Sequence, residues 1–356
     1  TGEPSGVLRN RAASLVYRHL PIPDSDDLRE ALRLASEMAN GYGITSVNAA
    51  QVRPQLHNAY VLADRAGEMT LRVQASQAWD LEQDGAQFTA IRKRRDTGSG
   101  RLYRADAVKL FLDGDISRRA AALVEPYAGT VDDRGRMSID AATLTNLVTE
   151  IDAAGFQVHI HVVGDRVVRS ALDAFEEAIA VNGPMDRRHQ LAHIVLIDPV
   201  DLPRFAELGI SADFQPIWAY LNDERRSEIE AVGPERGNRL VAMRSMIDSG
   251  ARVVIGSDWI SESMSPLYGM QIAITRRPPD GSGPAWLPEQ RVTLAEMIEA
   301  YTANGAWLAR QETETGSIEV GKAADLVVLE RNLFDVEPMT LKDVRVLLTL
   351  LEGEAV

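Results

Sequence analysis

The chain has 356 residues, 45% of them hydrophobic, with a formal net charge of −14 and no cysteine. Such a length holds one large domain or two ordinary ones around a substantial core. The negative charge disfavours nucleic acid as a partner, because phosphate binding needs a basic surface, and disulfides and thiolate metal ligands are excluded. No apolar run approaches the roughly 20 residues that span a bilayer, so we predict no membrane contact and a cytoplasmic location.

The first part of the chain predicts alternating helices and strands. A start at Asp24-Ser25 and a stop at Gly41 bound an amphipathic helix. Residues 84–104 are polar and carry no predicted element. Buried strands are predicted at 43–50, 71–78 and 107–111, and a further helix at 138–154.

The segment 155–165 reads GFQVHIHVVGD and is the most informative stretch of the chain. It places His159 and His161 two residues apart in an apolar strand, so both imidazoles project from the same face. Asp165 follows as a predicted cap for an amphipathic helix. Ligands of parallel α/β proteins bind at the carboxyl ends of strands, where His161 is placed while His159 lies deeper.

The second half keeps the alternation. Thr293 and Glu296 form a predicted capping box for a helix through Leu308. Further strands are predicted at 189–194, 210–214 and 253–256, further helices at 199–208 and 238–249, and a Pro/Gly-rich loop at 276–290. The βα unit occurs seven times, which indicates a parallel sheet. Functional residue types at several strand ends favour a barrel over an open sheet. From residue 316 onward, strand-like segments predict a small β element.

Four side chains are the candidates for chemistry. His161, His193 and Asp258 stand at or near the ends of predicted strands, and Lys109 lies inside another. A hydrolytic zinc site uses His nitrogens and carboxylate oxygens with an open position for water, whose pKa the metal lowers to about 7. An Asp beside that water can serve as the general base.

Simpler interpretations stay open for the same region. His159 can be a hydrogen-bonded core residue, and Asp258 can cap a helix. An unpaired Lys109 inside an apolar strand is costly. Pairing with Asp113 or Asp115, or a side chain that reaches the surface, would relieve that cost.

Other residues give weaker signals. We interpret His19 and His57 as surface or loop residues, and Trp259, which follows Asp258, as the best pocket-wall candidate among the tryptophans. Four arginines can meet an anionic substrate group, although solvated positions are favoured: Arg118, Arg119, Arg276 and Arg277.

Several blocks resemble one known family in the same order. They read VKLFLDGD, HIHVVGD, QLAHIVLIDPVDLPRFAELGISADFQP, VVIGSDW and TLAEMIEAYTANGAWLARQETETGSIEVGKAADLVVLE. Over essentially the whole chain they resemble the amidohydrolase superfamily, in its branch of N-substituted formamide deformylase-like metal-dependent hydrolases. The resemblance implies an α/β fold with a (β/α)8 TIM-type barrel, one or two divalent metal ions, usually zinc, and hydrolysis of an amide-type C–N bond.

The resemblance also implies roles for individual residues. It implies that Lys109 is a carbamylated, metal-bridging lysine and that His161 and His193 are metal ligands. Asp258 is implied to be both a ligand and the proton-accepting base. Carbamylation converts an ammonium into a carboxylate-like ligand, which would remove the cost of burying Lys109.

One feature of the family is missing from this sequence. Members carry a His-x-His pair on the first barrel strand, and the pair His159-x-His161 does not match that position. We therefore expect strands two to eight of an incomplete barrel within 1–315 and the C-terminal part of a small β-sandwich within 316–356. We also expect a C-terminal fragment with unpaired sheet edges, weakened metal affinity and low activity.

Three functions are compatible with these observations. The first is a metal-dependent amidohydrolase with a small-molecule, amide-type substrate, assembled as a homodimer. The second is a non-catalytic barrel remnant that acts as a binding module, and the third is a deaminase or ring hydrolase of the same superfamily. A serine hydrolase is disfavoured because the sequence has no G-x-S-x-G elbow.

Overall fold

The structure is a computed structural model that describes residues 6, 16, 19–21 and 23–356. The predicted barrel domain begins at residue 1, and most of its first 18 residues lie outside this described part. Within the described chain, helices and strands alternate through the first two thirds. No helix there is long and apolar enough to cross a membrane.

Seven parallel strands form one sheet in which every strand pairs with its neighbours in chain order. The sheet is curled in the manner of part of a barrel, and β1 and β7 are its two ends in the described chain. The predicted number of parallel strands, seven, is therefore confirmed, whereas their assignment as strands two to eight of a barrel that lacks its first strand stays a prediction. The strands are β1 (Ser46–Val52), β2 (Arg72–Ala78), β3 (Tyr103–Phe111), β4 (Gln157–Val162), β5 (Gln190–His193), β6 (Ser211–Phe214) and β7 (Val253–Ile255).

Twelve α-helices accompany the sheet in the described residues. They are α1 (Ser25–Gly41), α2 (Pro54–Arg65), α3 (Gln87–Gly98), α4 (Ala141–Ala153), α5 (Asp165–Asn182), α6 (Leu202–Leu208), α7 (Asp223–Val232), α8 (Pro234–Gly237), α9 (Met243–Asp248), α10 (Pro266–Thr275), α11 (Leu294–Tyr301) and α12 (Ala303–Leu308).

Helix α5 shows how the sequence pattern becomes packing. Val168, Ala171, Leu172 and Phe175 recur at helical spacing and are all fully buried in the main hydrophobic core, as an apolar stripe facing a sheet requires. Asp165 is the first residue of α5 and not its cap. Its Oδ1 instead accepts the Val124 N–H at 2.8 Å, so the side chain anchors the preceding loop.

Several predicted helices differ from the observed ones. The polar segment 84–104 contains α3, and α7 and α10 fall in segments with no predicted element. The helix predicted at 238–249 is shortened to α9. The helix predicted through Leu308 is interrupted at Thr302, whose φ of −116° and ψ of −86° are not helical, and it continues as α12.

The C-terminal part folds as a three-stranded antiparallel sheet of β8 (Leu326–Leu329), β9 (Val346–Leu351) and β10 (Glu354–Ala355). It docks on the large sheet through Arg72 at the start of β2, whose Nε donates to Asp325 Oδ2 at 2.6 Å. Thr349 on β9 adds a hydrogen bond from its Oγ1 to Asn40 O at 2.6 Å. Whether residues 1–315 and 316–356 are separate domains stays a prediction.

The register of the parallel strands determines which candidate residues lie side by side. Lys109 on β3 is paired with His159 on β4, and His193 at the end of β5 is paired with Val162, next to His161. Because parallel strands end on the same edge of a sheet, this register gathers the candidates at one end of the fold.

Candidate functional site

Lys109 is buried at this end of the sheet, with 2% of the residue exposed. Its Nζ lies 2.7 Å from Nε2 of His159. Burial lowers the pKa of its ammonium to about 7, although the charges of Asp213 and Asp258 favour the protonated form. The side chain therefore stays within the fold and does not reach the surface.

The predicted pairing of Lys109 with Asp113 or Asp115 is wrong. Asp113 accepts three backbone N–H groups, including that of Gly164 at 2.9 Å. Asp115 instead forms an ion pair with Arg118, with 3.3 Å between Oδ2 and Nε. Asp113 is thus engaged by backbone groups of the loops after β3 and β4, and Asp115 by a side chain of its own loop.

His159 is engaged at both ring nitrogens. Nδ1 lies 3.1 Å from the hydroxyl of Ser76, and Nε2 faces Lys109. The residue is 1% exposed, and burial is the first cause that holds the pKa of its imidazole well below the usual value. The structure agrees with His159 as a hydrogen-bonded core residue beneath the candidate site.

His161 and His193 lie edge to face with 4.5 Å between their ring centroids. Burial holds the pKa of His161 well below its usual value and lowers the pKa of His193 to about 3, so both rings are neutral near pH 7. The Nδ1 atom of His161 is buried without a hydrogen-bond partner among the described residues. An orphaned imidazole nitrogen is unusual in a folded interior.

His193 is held by a hydrogen bond and by a strained backbone. Its Nδ1 lies 2.7 Å from Oε1 of Gln215, and its ring stacks 6.1 Å from that of Trp218. The backbone of His193 has a φ of 79°, followed by 46° at Ile194. Positive φ at non-glycine residues costs about 1–3 kcal/mol and is concentrated at functional sites.

Asp258 follows the end of β7 and also adopts a positive φ, of 51°. The residue is exposed on one side, yet the protein packed behind its carboxyl desolvates it enough to raise the pKa, an effect that the charge of Lys109 opposes. The predicted alternative as a helix cap is wrong, because the next helix, α10, is capped by the side chain of Ser265.

Asp213 on β6 belongs to the same electrostatic cluster, and the sequence analysis did not single it out. Burial raises the pKa of its carboxyl to about 7, with Lys109 lowering it and Asp258 raising it further. Its Oδ1 accepts a hydrogen bond from Gln215 Nε2 at 3.0 Å. The available signal was a carboxylate within the short apolar strand SADF.

These side chains can supply metal ligands without forming a complete set. Among the described residues, no group of three His, Asp or Glu side chains converges closely enough to hold an ion. The two neutral imidazoles with free ring nitrogens, flanked by Lys109 and two carboxylates, nevertheless provide the donor chemistry of a zinc site.

Other sequence interpretations change in the structure. His57 is 3% exposed and its Nδ1 lies 2.9 Å from the Tyr103 hydroxyl, so its surface assignment is wrong, whereas His19 is exposed. Arg276 is completely buried and donates to Val241 O at 3.2 Å, so its predicted solvated position is also wrong. Trp259 is 42% exposed.

A cavity of about 720 Å³ lies elsewhere, between the loop 124–130 and the start of α8. Asp165, Arg236 and Arg239 contribute to its wall. None of Lys109, His161, His193 or Asp258 lines it. The cavity thus does not coincide with the candidate site, which is located by side chains with perturbed pKa values.

An α/β fold that gathers titratable side chains at the carboxyl ends of successive parallel strands has the architecture of the α/β-barrel enzymes. The closer assignment comes from sequence. The chain belongs to the Amidohydrolase family, whose family model matches residues 1–356.

Individual relatives are distant and longer. The chain is 29% identical to Protein LONG AFTER FAR-RED 3 of Arabidopsis thaliana, over 94% of this chain and 58% of that protein. It is 28% identical to the N-substituted formamide deformylase of Arthrobacter pascens, over 99% of this chain and 65% of that protein. An uncharacterized metal-dependent hydrolase from Pyrococcus horikoshii shares the fold with a TM-score of 0.79 at 21% identity, over 93% of this chain and 65% of that one. The chain thus spans about three fifths of these curated relatives' length.

Proposed function

We propose that this chain carries the catalytic residues of a metal-dependent hydrolase that cleaves an amide-type C–N bond in a small molecule. The observation that carries the proposal is the buried, unpartnered Nδ1 of His161 beside the neutral ring of His193. A buried imidazole nitrogen without a hydrogen-bond partner costs free energy unless a ligand uses it. The family membership supports the same reading.

His161, His193, Asp258 and a carbamylated Lys109 are the residues that would hold the ion, with zinc the preferred identity for nitrogen and oxygen donors. Such an ion, when bound, makes water a nucleophile near neutral pH. Carbamylation joins Nζ of the neutral amine to the carbon of CO₂ with loss of one proton. The product is an anion close to Asp213 and Asp258, so it requires a cation between them to offset the repulsion.

Asp258 is the proposed proton acceptor. Its exposed side lets it reach a substrate and a water molecule, and its raised pKa brings a carboxylate base nearer to the operating pH. Asp258 also adopts a positive φ of 51°, a conformation that is concentrated at functional sites.

The test is elemental analysis of the purified protein together with native mass spectrometry. We expect about one zinc or more per chain, a mass increase of one CO₂, and loss of the zinc in the His161→Ala/His193→Ala variant. His19→Ala is the matched control, because His19 is exposed, and it should keep the metal. A wild-type chain that binds no zinc even after reconstitution would contradict the proposal and favour a non-catalytic binding module.

Substrate profiling separates the two enzymatic alternatives. Linear N-substituted amides should be hydrolysed faster than cyclic amides or aminated rings if the chain acts as proposed. The reverse order would assign it to the deaminases and ring hydrolases.

We also propose a homodimer, which a monomeric mass in sedimentation equilibrium would contradict.

A further inference from the structure

We propose that Gln215 and Asp213 form a hydrogen-bonded relay that fixes the tautomer of His193, so that Nδ1 carries the proton and Nε2 is free to bind a cation. Gln215 lies on the segment after β6 and is 4% exposed. Its Oε1 lies 2.7 Å from His193 Nδ1, and its Nε2 lies 3.0 Å from Asp213 Oδ1. Gln215 is thus a positioning residue and not a catalytic one.

The direction of the relay follows from donors and acceptors. Asp213 Oδ1 accepts a hydrogen bond from Gln215 Nε2 at 3.0 Å, as a carboxyl oxygen can in either protonation state, and this bond occupies the NH₂ end of the Gln215 amide. The carbonyl end of the same amide must then face His193. Because a carbonyl oxygen only accepts, the ring nitrogen opposite it has to donate. The second nitrogen of the neutral imidazole, Nε2, is left with its lone pair.

Gly256 lies against both side chains of this relay. A Cβ placed on Gly256, at the end of β7, would lie 3.3 Å from Asp213 Oδ1 and 3.4 Å from Gln215 Nε2. The first distance is tighter than most Cβ contacts and the second is close to ordinary van der Waals contact, and the φ of Gly256 does not itself require glycine. Gly256 therefore lets both side chains of the relay lie close to the end of β7.

The relay helps to hold the strained backbone of His193 in place. His193 and Ile194 both have positive φ, and such conformations persist only where the surroundings over-determine them. The hydrogen bond from His193 to Gln215 supplies one constraint, and the stacked Trp218 supplies another. Hydrogen-bond partners of this kind typically change metal affinity by about 10- to 100-fold when removed. The part of the inference that concerns metal rests on the proposed function, whereas the tautomer does not.

The experiment is long-range ¹H–¹⁵N correlation of the histidine rings in the metal-free 356-residue chain, with His193→Ala to assign the signals. Wild type should show His193 protonated at Nδ1. Gln215→Glu keeps an acceptor and should keep that pattern, whereas Gln215→Leu should lose it. Gln190→Leu is the matched control, because Gln190 is a buried glutamine on β5 whose amide contacts no partner among the described residues.

Zinc affinity by chelator competition is the second measurement. Gln215→Leu should bind zinc about 10- to 100-fold more weakly than wild type, and Gln190→Leu should bind it equally well. The wild-type tautomer tests the relay even if Gln215→Leu does not fold. His193 protonated at Nε2 in the wild-type protein, or an unchanged Nδ1–H pattern in Gln215→Leu, would overturn the relay. A relay that behaves as expected in a wild-type protein that binds no zinc would leave the relay standing and refute the proposed hydrolase.

Discussion

At the scale of single residues, Asp113 shows what one carboxylate does for the site. Oδ1 accepts the Val163 N–H at 3.0 Å, and Oδ2 accepts the N–H groups of Ala122 at 3.0 Å and Gly164 at 2.9 Å. The loop after β3 is thereby tied to the residues that follow His161. Loss of one acceptor would leave a buried N–H facing an amide N–H₂, which costs about 1–3 kcal/mol.

We therefore expect Asp113→Asn to lower the free energy of unfolding by about 1–3 kcal/mol in urea titrations. Asp115→Asn makes the same chemical change two residues away, in an exposed ion pair with Arg118, and should cost less than about 1 kcal/mol. Equal destabilisation by the two variants would show that the three backbone hydrogen bonds of Asp113 contribute nothing specific.

The position of each residue in its strand explains which site residues the sequence could predict. His161, His193 and Asp258 stand at strand ends, where local pattern and chemistry coincide, so they could be named in advance. Asp213 could not, because its importance comes from Lys109, on a strand that is not its neighbour. His57 was misplaced for a related reason: its hydrogen-bond partner Tyr103 is 46 residues away, beyond the reach of any local pattern.

At the scale of elements, the capping box of α11 was predictable and is observed. Thr293 Oγ1 accepts the Glu296 N–H at 3.3 Å, and Glu296 Oε2 accepts the Thr293 N–H at 2.7 Å. The hydrogen bond from Arg244, followed by those within the box, lowers the pKa of Glu296 to about 2. A depressed carboxyl pKa adds stability above the unfolded-state value, and that stability is lost as the pH falls through the folded-state value.

The expected result for Glu296→Gln follows from this sign. The variant should be less stable than wild type by about 1 kcal/mol near pH 7, because the ion pair with Arg244 is partly exposed. The difference should shrink as the pH falls from about 4.5 towards 2. Thermal unfolding of both proteins across this range measures it, with Glu299→Gln in the same helix as a control. A difference that grows on acidification would contradict the assignment.

Helix α10 shows why some helices were not predicted from the sequence. Its buried residues include Leu267, Met270, Ile272 and Ala273, which together surround the helix axis. A helix buried on all sides has no apolar stripe against a polar face, so the period of 3.6 that reveals a surface helix is absent. Helix α3 was not predicted for the opposite reason. It is mostly polar, and its buried residues are only Phe88, Ile91 and Gly98.

At the scale of the whole molecule, an ion pair joins the two sheets. Arg72 at the start of β2 meets Asp325 just before β8, with 2.6 Å between Nε and Oδ2 and with both side chains nearly buried, at 6% and 4% exposure. Arg72 also reaches Glu352 after β9, at 2.9 Å. Removal of one partner of a buried pair leaves an uncompensated charge and typically costs about 3–5 kcal/mol.

Asp325→Asn tests whether the small sheet is a dependent part of the fold. All five tryptophans lie between residues 79 and 307, so tryptophan fluorescence reports only the part of the chain that carries the parallel sheet. If the sheets unfold together, the variant should lower the fluorescence midpoint in guanidinium by an amount equivalent to about 3 kcal/mol. Glu330→Gln, which removes a surface pairing with Arg345, should leave it nearly unchanged. The alternative outcome is an unchanged fluorescence midpoint in Asp325→Asn together with an earlier transition in circular dichroism. Loss of the ion pair would then destabilise only the part of the chain that contains no tryptophan, and residues 316–356 would be an independent domain.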